Sequence, residues 1–377
     1  MATAANTSSA DALRAAFARH RALTVGLEEE VMLLDPDTLD LAPVAADVLR
    51  TLDGDARFKP ELPAAQLEIA GAPAITVTDA ARELARARAD LVAATTDRAR
   101  PAAAGVHPFT HGVGALAPGP RYRALLEDYG AVIRRQLVFG LHVHVAVGGA
   151  TRALSVYNAL REHLPALAAL GAGSPFYEGR DTGLASVRPV LCDLLPRQGI
   201  PPLLPDWETY ALALQPAPAF ADARWWWEAR PHPVYGTLEV RVVDAQPTVA
   251  ATAALAAVVH ALVATLCAQH DDGTLPDPAP SWRIEENRWS ACRHGVAGSW
   301  TDVRTGAVRR TAEHVEDLLA LVAPAADRLG CAAELAAARA LLDAPPAATA
   351  RRAGPHAHAA NLAERFAQLG MTGAAAG

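Results

Sequence analysis

Three short segments of the chain place ionisable side chains at alternate positions: residues 26–31, 140–145 and 237–242. Side chains along a β-strand point to opposite faces with a period of two. In the second and third segments the intervening positions are all Leu or Val. The pattern predicts a sheet with one face packed on an apolar layer and the other lined by carboxylates, imidazoles and arginine.

Each segment contributes two groups to the polar face: Glu28 with Glu30, His142 with His144, and Glu239 with Arg241. Neighbouring carboxylates repel each other unless a cation lies between them. Mg²⁺ prefers oxygen ligands and commonly takes one or two carboxylates together with water and phosphate. The polar face is therefore a candidate site for metal ions and phosphates. Glu29 points away from its neighbours, and we expect it to be solvated surface charge.

The remaining sequence predicts helices between and after these strands. Asp79 is expected to cap a helix over residues 80–100. Further helical patterns cover residues 122–134, 153–170, 249–269, 282–294, 311–322, 332–343 and 356–369. We expect residues 1–20 to be disordered and residues 196–218, which are rich in proline, to form a surface loop. Strands spread among helices, with hairpin-like and helical connections, predict one α/β (α+β) domain with a mixed or antiparallel sheet covered by helices on one side.

Composition narrows the class of protein. The formal net charge of -7 argues against a nucleic-acid partner. Four widely spaced cysteines form no C-x-x-C pair, and no charged segment followed by an apolar run opens the chain, so we expect a cytoplasmic protein. Residues 249–268 approach the length of a membrane span, but they are rich in alanine and contain His260. We expect a buried core helix there and no membrane partner.

Other motifs are weak or absent. The H-x-H pair occurs without an H-E-x-x-H metalloprotease motif, and no G-x-x-x-x-G-K-[ST] motif exists, which excludes classical P-loop nucleotide binding. Arg241 stands out among the arginines because it shares a face with Glu239 and could grip phosphate. We expect the tryptophans at 225–227 to be packing residues and His107 to be structural.

Taken in order, the motifs resemble those of the type 2 glutamate–cysteine ligases, also called ATP-dependent carboxylate–amine ligases, over about residues 23–300. The matching segments are residues 24–30, 60–61 with 66–69, 140–145, 174–183, 229–231 with 237–241, and 286–289. The resemblance implies that residues 21–370 form a single carboxylate–amine ligase catalytic domain. That domain would be glutamine-synthetase-like, with a bent, mostly antiparallel sheet whose concave face holds ATP and magnesium.

The resemblance also implies roles for individual residues. Two or three Mg²⁺ ions would be held by Glu28, Glu30, Glu61, Glu68, His142 and Glu239. Arg241 and Glu239 would be catalytic, with Arg241 touching the transferred phosphate. Substrate or ATP would be bound by Arg230, Arg188, Ser174, Asp181 and His144.

The implied reaction joins a carboxylate to an amine. A carboxylate, expected to be the γ-carboxylate of glutamate, attacks the γ-phosphorus of ATP, and an amine then displaces phosphate from the acyl phosphate. Cysteine is one candidate amine, with weak activity expected, because no thiol-recognition signature is present. Two alternatives stay open: a guanidino-kinase-like phosphotransferase, and a non-catalytic relative that binds metal or nucleotide. A homo-oligomer is also possible.

Overall fold

The three patterned segments form neighbouring strands of one sheet. A computed structural model describes residues 9–19, 21–215 and 225–368. In chain order the strands are β1 (Val25–Leu34), β2 (Phe58–Pro60), β3 (Gln66–Ala70), β4 (Arg100–Ala102), β5 (Gly140–Val145), β6 (Phe176–Tyr177), β7 (Arg180–Asp181), β8 (Ala229–His232), β9 (Thr237–Asp244), β10 (Ser299–Thr301) and β11 (Val308–Arg310). The main sheet has the order β2-β3-β1-β5-β9-β8, and β4 pairs with the end of β1. All its pairings are antiparallel, which confirms the predicted sheet type.

Helices surround this sheet. In chain order they are α1 (Ala10–Ala18), α2 (Ala45–Thr51), α3 (Val77–Ala94), α4 (Pro120–Tyr129), α5 (Ala150–Leu160), α6 (Leu164–Gly171), α7 (Arg188–Cys192), α8 (Trp207–Ala213), α9 (Val249–Asp271), α10 (Ser281–His294), α11 (Thr311–Leu329), α12 (Ala332–Ala337), α13 (Arg339–Asp343), α14 (Pro346–Ala353) and α15 (Pro355–Phe366). Helices α3, α6 and α9 pack against β1, β9 and β5. The apolar side chains of these strands, such as Leu141 and Val240, are fully buried.

Helix α9 lies at the centre of the helical layer. It is long and apolar enough to cross a membrane by length and composition, with a mean hydropathy of 2.1 over its most apolar window. Within the structure 83% of that window is buried. Its one buried imidazole is satisfied, because His260 Nε2 lies 3.0 Å from the carbonyl oxygen of Leu23. The helix is a buried core helix, as its alanine content predicts.

Several predicted boundaries are wrong. Helix α3 begins three residues earlier than expected, because Thr76 rather than Asp79 is the N-cap: its Oγ1 accepts a hydrogen bond from the Asp79 amide at 3.1 Å. The segment expected to be a loop contains helix α8, while residues 216–218 lie outside the described residues.

The N-terminal prediction also fails where the structure describes it. Residues 10–18 form helix α1, capped by Ser9, and bury Leu13 and Phe17. The Phe17 ring lies 4.9 Å from that of Trp207, so α1 packs on α8. Residues 1–8 and 20 lie outside the described part of the chain.

Glu29 is the clearest departure from expectation. It is fully buried on the helix-facing side of β1 and pairs with Arg88 of α3, which is also fully buried. Arg88 donates from Nε and Nη2 to the two carboxylate oxygens of Glu29 at 2.8 and 2.6 Å. The carboxylate also accepts a hydrogen bond from Thr252 on α9 at 3.0 Å. The sequence pattern indicated that Glu29 points away from Glu28 and Glu30, but it did not indicate a buried arginine partner on the opposite face of the sheet.

Candidate active site

The strand register brings the predicted groups together across neighbouring strands. Glu28 on β1 lies opposite His142 on β5, and Glu30 lies opposite Glu68 on β3. His144 lies opposite Glu239 on β9. Directly opposed side chains in an antiparallel sheet have Cβ atoms about 5 Å apart. The alternation seen in sequence therefore becomes a continuous polar surface spanning four strands.

This surface lies beneath a cleft of about 480 Å³, a volume in the range of small-molecule sites. Helices α4, α7 and α10 contribute to its walls, so this face of the sheet is covered more than the prediction of helices on one side implied. The predicted residues that line the cleft are Glu28, Glu30, Glu61, Glu68, His142, Arg188, Arg230 and Arg241. Glu239 and His144 are almost fully buried and are not among the lining residues.

Two groups of side chains have the donor set and spacing for a metal ion. Glu28, Glu68 and His142 form one, and Glu28, His144 and Glu239 form the other. In each group the possible ligand atoms lie within 4.8 Å of one another. Glu28 belongs to both, so the two candidate positions adjoin.

The carboxylates at this surface repel one another, and a bound cation would offset that repulsion. Burial, together with the charge of Glu61, raises the pKa of Glu30 to about 8. Burial and the neighbouring Glu28 and Glu61 carboxylates raise the pKa of Glu68 to about 7. Lys59 compensates in part, because its Nζ donates to Glu68 at 3.0 Å and lies 3.7 Å from Glu28.

The two histidines also fit a cation. Burial and the nearby Arg241 guanidinium lower the pKa of His142 to about 4, so its imidazole is neutral at neutral pH. A neutral imidazole is the form that ligates metals. The Nε2 atoms of His142 and His144 are buried, and neither makes a hydrogen bond of good geometry among the described residues. His144 Nε2 lies 3.3 Å from a Glu28 oxygen.

Glu239 is held between two arginines. Arg230 donates from Nε to one carboxylate oxygen at 2.6 Å, and Arg241 donates from Nη1 to the other. Burial opposes ionisation of Glu239, but the charges of Arg230 and Arg241 outweigh it and hold its pKa well below the ordinary value. The carboxylate is therefore ionised, and it fixes both guanidinium groups.

A β-bulge positions Arg241. The β5–β9 register shifts between Leu141 and Val143, so β9 contains an extra residue beside His142. Arg188 donates to the carbonyls of Arg241 and Val242 at 3.0 and 3.2 Å, and so supplies partners to this irregular backbone. A Cβ atom on Gly140 would overlap the Arg188 guanidinium, so a larger residue there would displace that guanidinium. Bulges are common beside active sites because they redirect a side chain.

Two predicted binding residues lie away from the cleft. Ser174 is buried behind β9, where its Oγ accepts a hydrogen bond from the Val106 amide at 3.2 Å. Asp181 is exposed and forms an ion pair with Arg351 of α14 at 2.9 Å. Neither is among the residues that line the cleft. In the structure both side chains instead hold the segment of residues 174–183 through these contacts, and their predicted contact with substrate stays a prediction.

Other lining residues were missed by the sequence analysis. Trp226, Glu228 and His232 follow the same period of two as the predicted Arg230 along β8 and the residues before it, and all of them line the cleft. Trp226 was expected only to pack. Lys59 and Tyr235 line the cleft as well. The alternation itself was the available signal, but Pro231 and the run of tryptophans obscured it.

The sequence and the fold both have known relatives. The family model described as glutamate–cysteine ligase family 2 (GCS2) matches residues 24–361. A protein of Rubrobacter xylanophilus, provisionally named glutamate–cysteine ligase 2-3, is 40% identical over 324 residues, covering 83% of this chain and 86% of that protein.

Solved structures share the fold at low identity. The glutamate–cysteine ligase of Francisella tularensis, solved in complex with AMP, has a TM-score of 0.68 at 15% identity and covers 93% of this chain and 90% of its own. A bifunctional glutathione synthetase from Pasteurella multocida has a TM-score of 0.63 at 13% identity, covering 95% of this chain and 54% of its own. These matches confirm the predicted fold and resemblance, and they do not favour a guanidino-kinase-like or non-catalytic alternative. The chain therefore belongs to the glutamate–cysteine ligase family 2.

Proposed function

We propose that the protein activates the γ-carboxylate of glutamate, or a closely related carboxylate, with ATP and joins it to an amine. Its family makes it an ATP-dependent ligase that forms C–N bonds. The observation that carries the proposal is the pair of adjoining carboxylate–histidine groups that share Glu28 at the floor of the cleft.

The donor set fits Mg²⁺. Glu28, Glu68 and His142 would hold one ion, and Glu28 with His144 and Glu239 a second, with Glu30 and Glu61 beside them. A third ion would require Glu30 or Glu61 as a principal ligand. Magnesium, when bound, neutralises charge on the phosphates of ATP.

The arginines supply the fixed positive charge for both chemical steps. The γ-carboxylate attacks the γ-phosphorus of ATP, releasing ADP and leaving an acyl phosphate. The amine then attacks the acyl carbon and phosphate departs. Arg241 lies beside His142 and is held by Glu239, so its guanidinium is preorganised towards the transferred phosphate and the oxyanion of the second step. Arg230 shares that anchor and lines the cleft beside Trp226.

The identity of the amine is the open part of the proposal. Cysteine is included as a weak substrate, and another amine could be the physiological one. A cytoplasmic location supplies ATP and reduced thiols, and it is consistent with four free cysteines among the described residues.

The test is ADP release by purified protein with Mg²⁺, ATP and glutamate across a panel of amino acids and amines. We expect turnover that requires both glutamate and an amine. Glu28→Gln should abolish it while leaving the far-ultraviolet spectrum unchanged, because one carboxylate is lost from both candidate positions. Glu316→Gln, at an exposed position of α11, is the matched control and should retain turnover. Normal turnover by Glu28→Gln would refute the assignment.

A further inference from the structure

A buried carboxylate lies in the same cleft but outside both metal groups. Glu228 immediately precedes β8 and lines the cleft, with about a tenth of its side chain exposed. Its backbone is held on both sides: its amide donates to Gly199 at 3.0 Å and its carbonyl accepts from the Arg241 amide at 2.8 Å. Continuing the β8–β9 register places Glu228 directly opposite Arg241. The carboxylate is thus one strand away from the arginine assigned to the phosphate.

One half of this carboxylate has no partner. Glu228 Oε1 accepts a hydrogen bond from Arg288 Nε at 2.6 Å, but Oε2 is buried and has no hydrogen-bond partner among the described residues. A buried acceptor without a partner carries a desolvation cost that nothing offsets, and the cost is larger if the group is charged. Such an atom in a substrate cleft calls for a donor from the substrate.

The surroundings select a cationic donor. Arg288 is already bound by both oxygens of Asp193, at 2.8 and 2.9 Å, and lies 3.8 Å from Glu285. Three carboxylates, Asp193, Glu228 and Glu285, share this one guanidinium. Arg188 is the other cation whose charge acts on Glu228, so three negative charges face two positive ones. A phosphate or carboxylate would be repelled there. A primary ammonium would supply both the missing donor and the missing charge.

We propose that Glu228 binds the ammonium group of an amino-acid substrate through Oε2. This inference rests on the proposed ligase function and adds a recognition residue to it. The ammonium could belong to the carboxylate substrate, as its α-amino group, or to the acceptor amine before it attacks. Both sources present the same chemistry to Glu228.

The experiment compares substrates that differ in this one charge, using wild type and Glu228→Gln. Glutamate against glutarate tests the α-ammonium of the carboxylate substrate. A cationic acceptor, cysteine or methylamine, against hydroxylamine, which is uncharged at neutral pH, tests the amine. We expect Glu228→Gln to raise the KM of the cationic member of one pair by at least about 10-fold, because the ammonium loses its buried charge partner. The KM of the neutral member should change little.

The controls separate recognition from folding. Glu285→Gln removes a half-exposed carboxylate near Arg288 that does not line the cleft, and both ratios should change much less than in Glu228→Gln. Should Glu228→Gln fail to fold, Glu228→Asp, which keeps the charge with a shorter reach, is compared by the same ratios. Equal changes for both members of each pair would overturn the inference.

ADP release by the wild-type protein distinguishes failure of the proposed function from failure of the ammonium site. If it releases no ADP with any pair, the ligase proposal fails, and binding is then measured by calorimetry with Mg·ADP present. Weaker binding of glutamate to Glu228→Gln, with glutarate unchanged, would still support the ammonium site. The same applies to a selective loss of methylamine binding. Unchanged binding of every probe would overturn the site.

Discussion

The buried pair between Glu29 and Arg88 allows a quantitative test of what holds strand β1 in place. Arg88→Met removes the guanidinium but keeps an apolar side chain near Phe366, whose ring lies 4.2 Å from the Arg88 guanidinium carbon. Among the described residues Glu29 then keeps only Thr252 as a hydrogen-bond donor, and it becomes an unpaired charge with no exposed surface. Breaking a buried pair in this way costs about 3–5 kcal/mol. We expect a loss of that size in the free energy of unfolding, measured by urea denaturation.

Two further variants make the reasoning refutable. Arg82→Met on the same helix breaks an ion pair with Asp79 in which both side chains are more than half exposed, and should cost less than about 1 kcal/mol. The double variant Glu29→Gln/Arg88→Met leaves no buried charge, and should recover much of the loss. A cost below about 1 kcal/mol for Arg88→Met, or a double variant as unstable as the two single changes summed, would show that the pair is not isolated from water.

Three other outcomes are expected. Burial lowers the pKa of His107 from 6.5 to about 4, so between these pH values the unfolded state binds a proton that the folded state excludes. The free energy of unfolding should therefore fall by up to about 3 kcal/mol as pH falls from 6.5 to 4. In urea titrations His107→Asn should lack this pH-dependent loss, and a pH profile like that of the wild type would contradict the prediction. Because burial raises the pKa of Glu30, Mg²⁺ must displace its proton, and the rise in Tm on adding MgCl2 should be larger at about pH 8 than at about pH 6. Equal gains would argue that Glu30 is not coupled to the ion. Arg188→Lys should lower kcat by at least about 10-fold, because a lysine ammonium lacks the planar guanidinium that donates to the Arg241 and Val242 carbonyls together. A wild-type kcat would refute the role of Arg188 in positioning Arg241.

The polar face could be predicted from sequence because it depends only on local geometry. A period of two places Glu28 with Glu30 and His142 with His144 wherever their strands lie. Which groups lie opposite each other depends also on strand order and register, which the alternation does not fix; the structure has Glu28 opposite His142.

The partners that these side chains find in distant segments of the chain could not be predicted in the same way. The partner of Glu29 comes from α3, 59 residues later, and nothing near either residue in sequence indicates the pair. Glu228 was missed for a different reason: Pro231 hid the strand, although the alternation was present. The family resemblance alone assigned Asp181 to substrate, and its ion pair with Arg351 depends on a helix 170 residues away.

Glu29 lies on one face of β1 and Glu28 and Glu30 lie on the other, and this arrangement disfavours a register shift of the strand. A shift of β1 by one residue would exchange its two faces. Glu28 and Glu30 would then enter the helical layer, where Arg88 can satisfy one carboxylate at most, while Glu29 alone would face the cleft. Many sheets discriminate against such misalignment only by exposing apolar side chains, but here a slipped strand would also bury unpaired charge. The three consecutive glutamates therefore favour one register of β1. Only the register that assembles both candidate metal positions also pairs Arg88 with a carboxylate on the helix-facing side of the sheet.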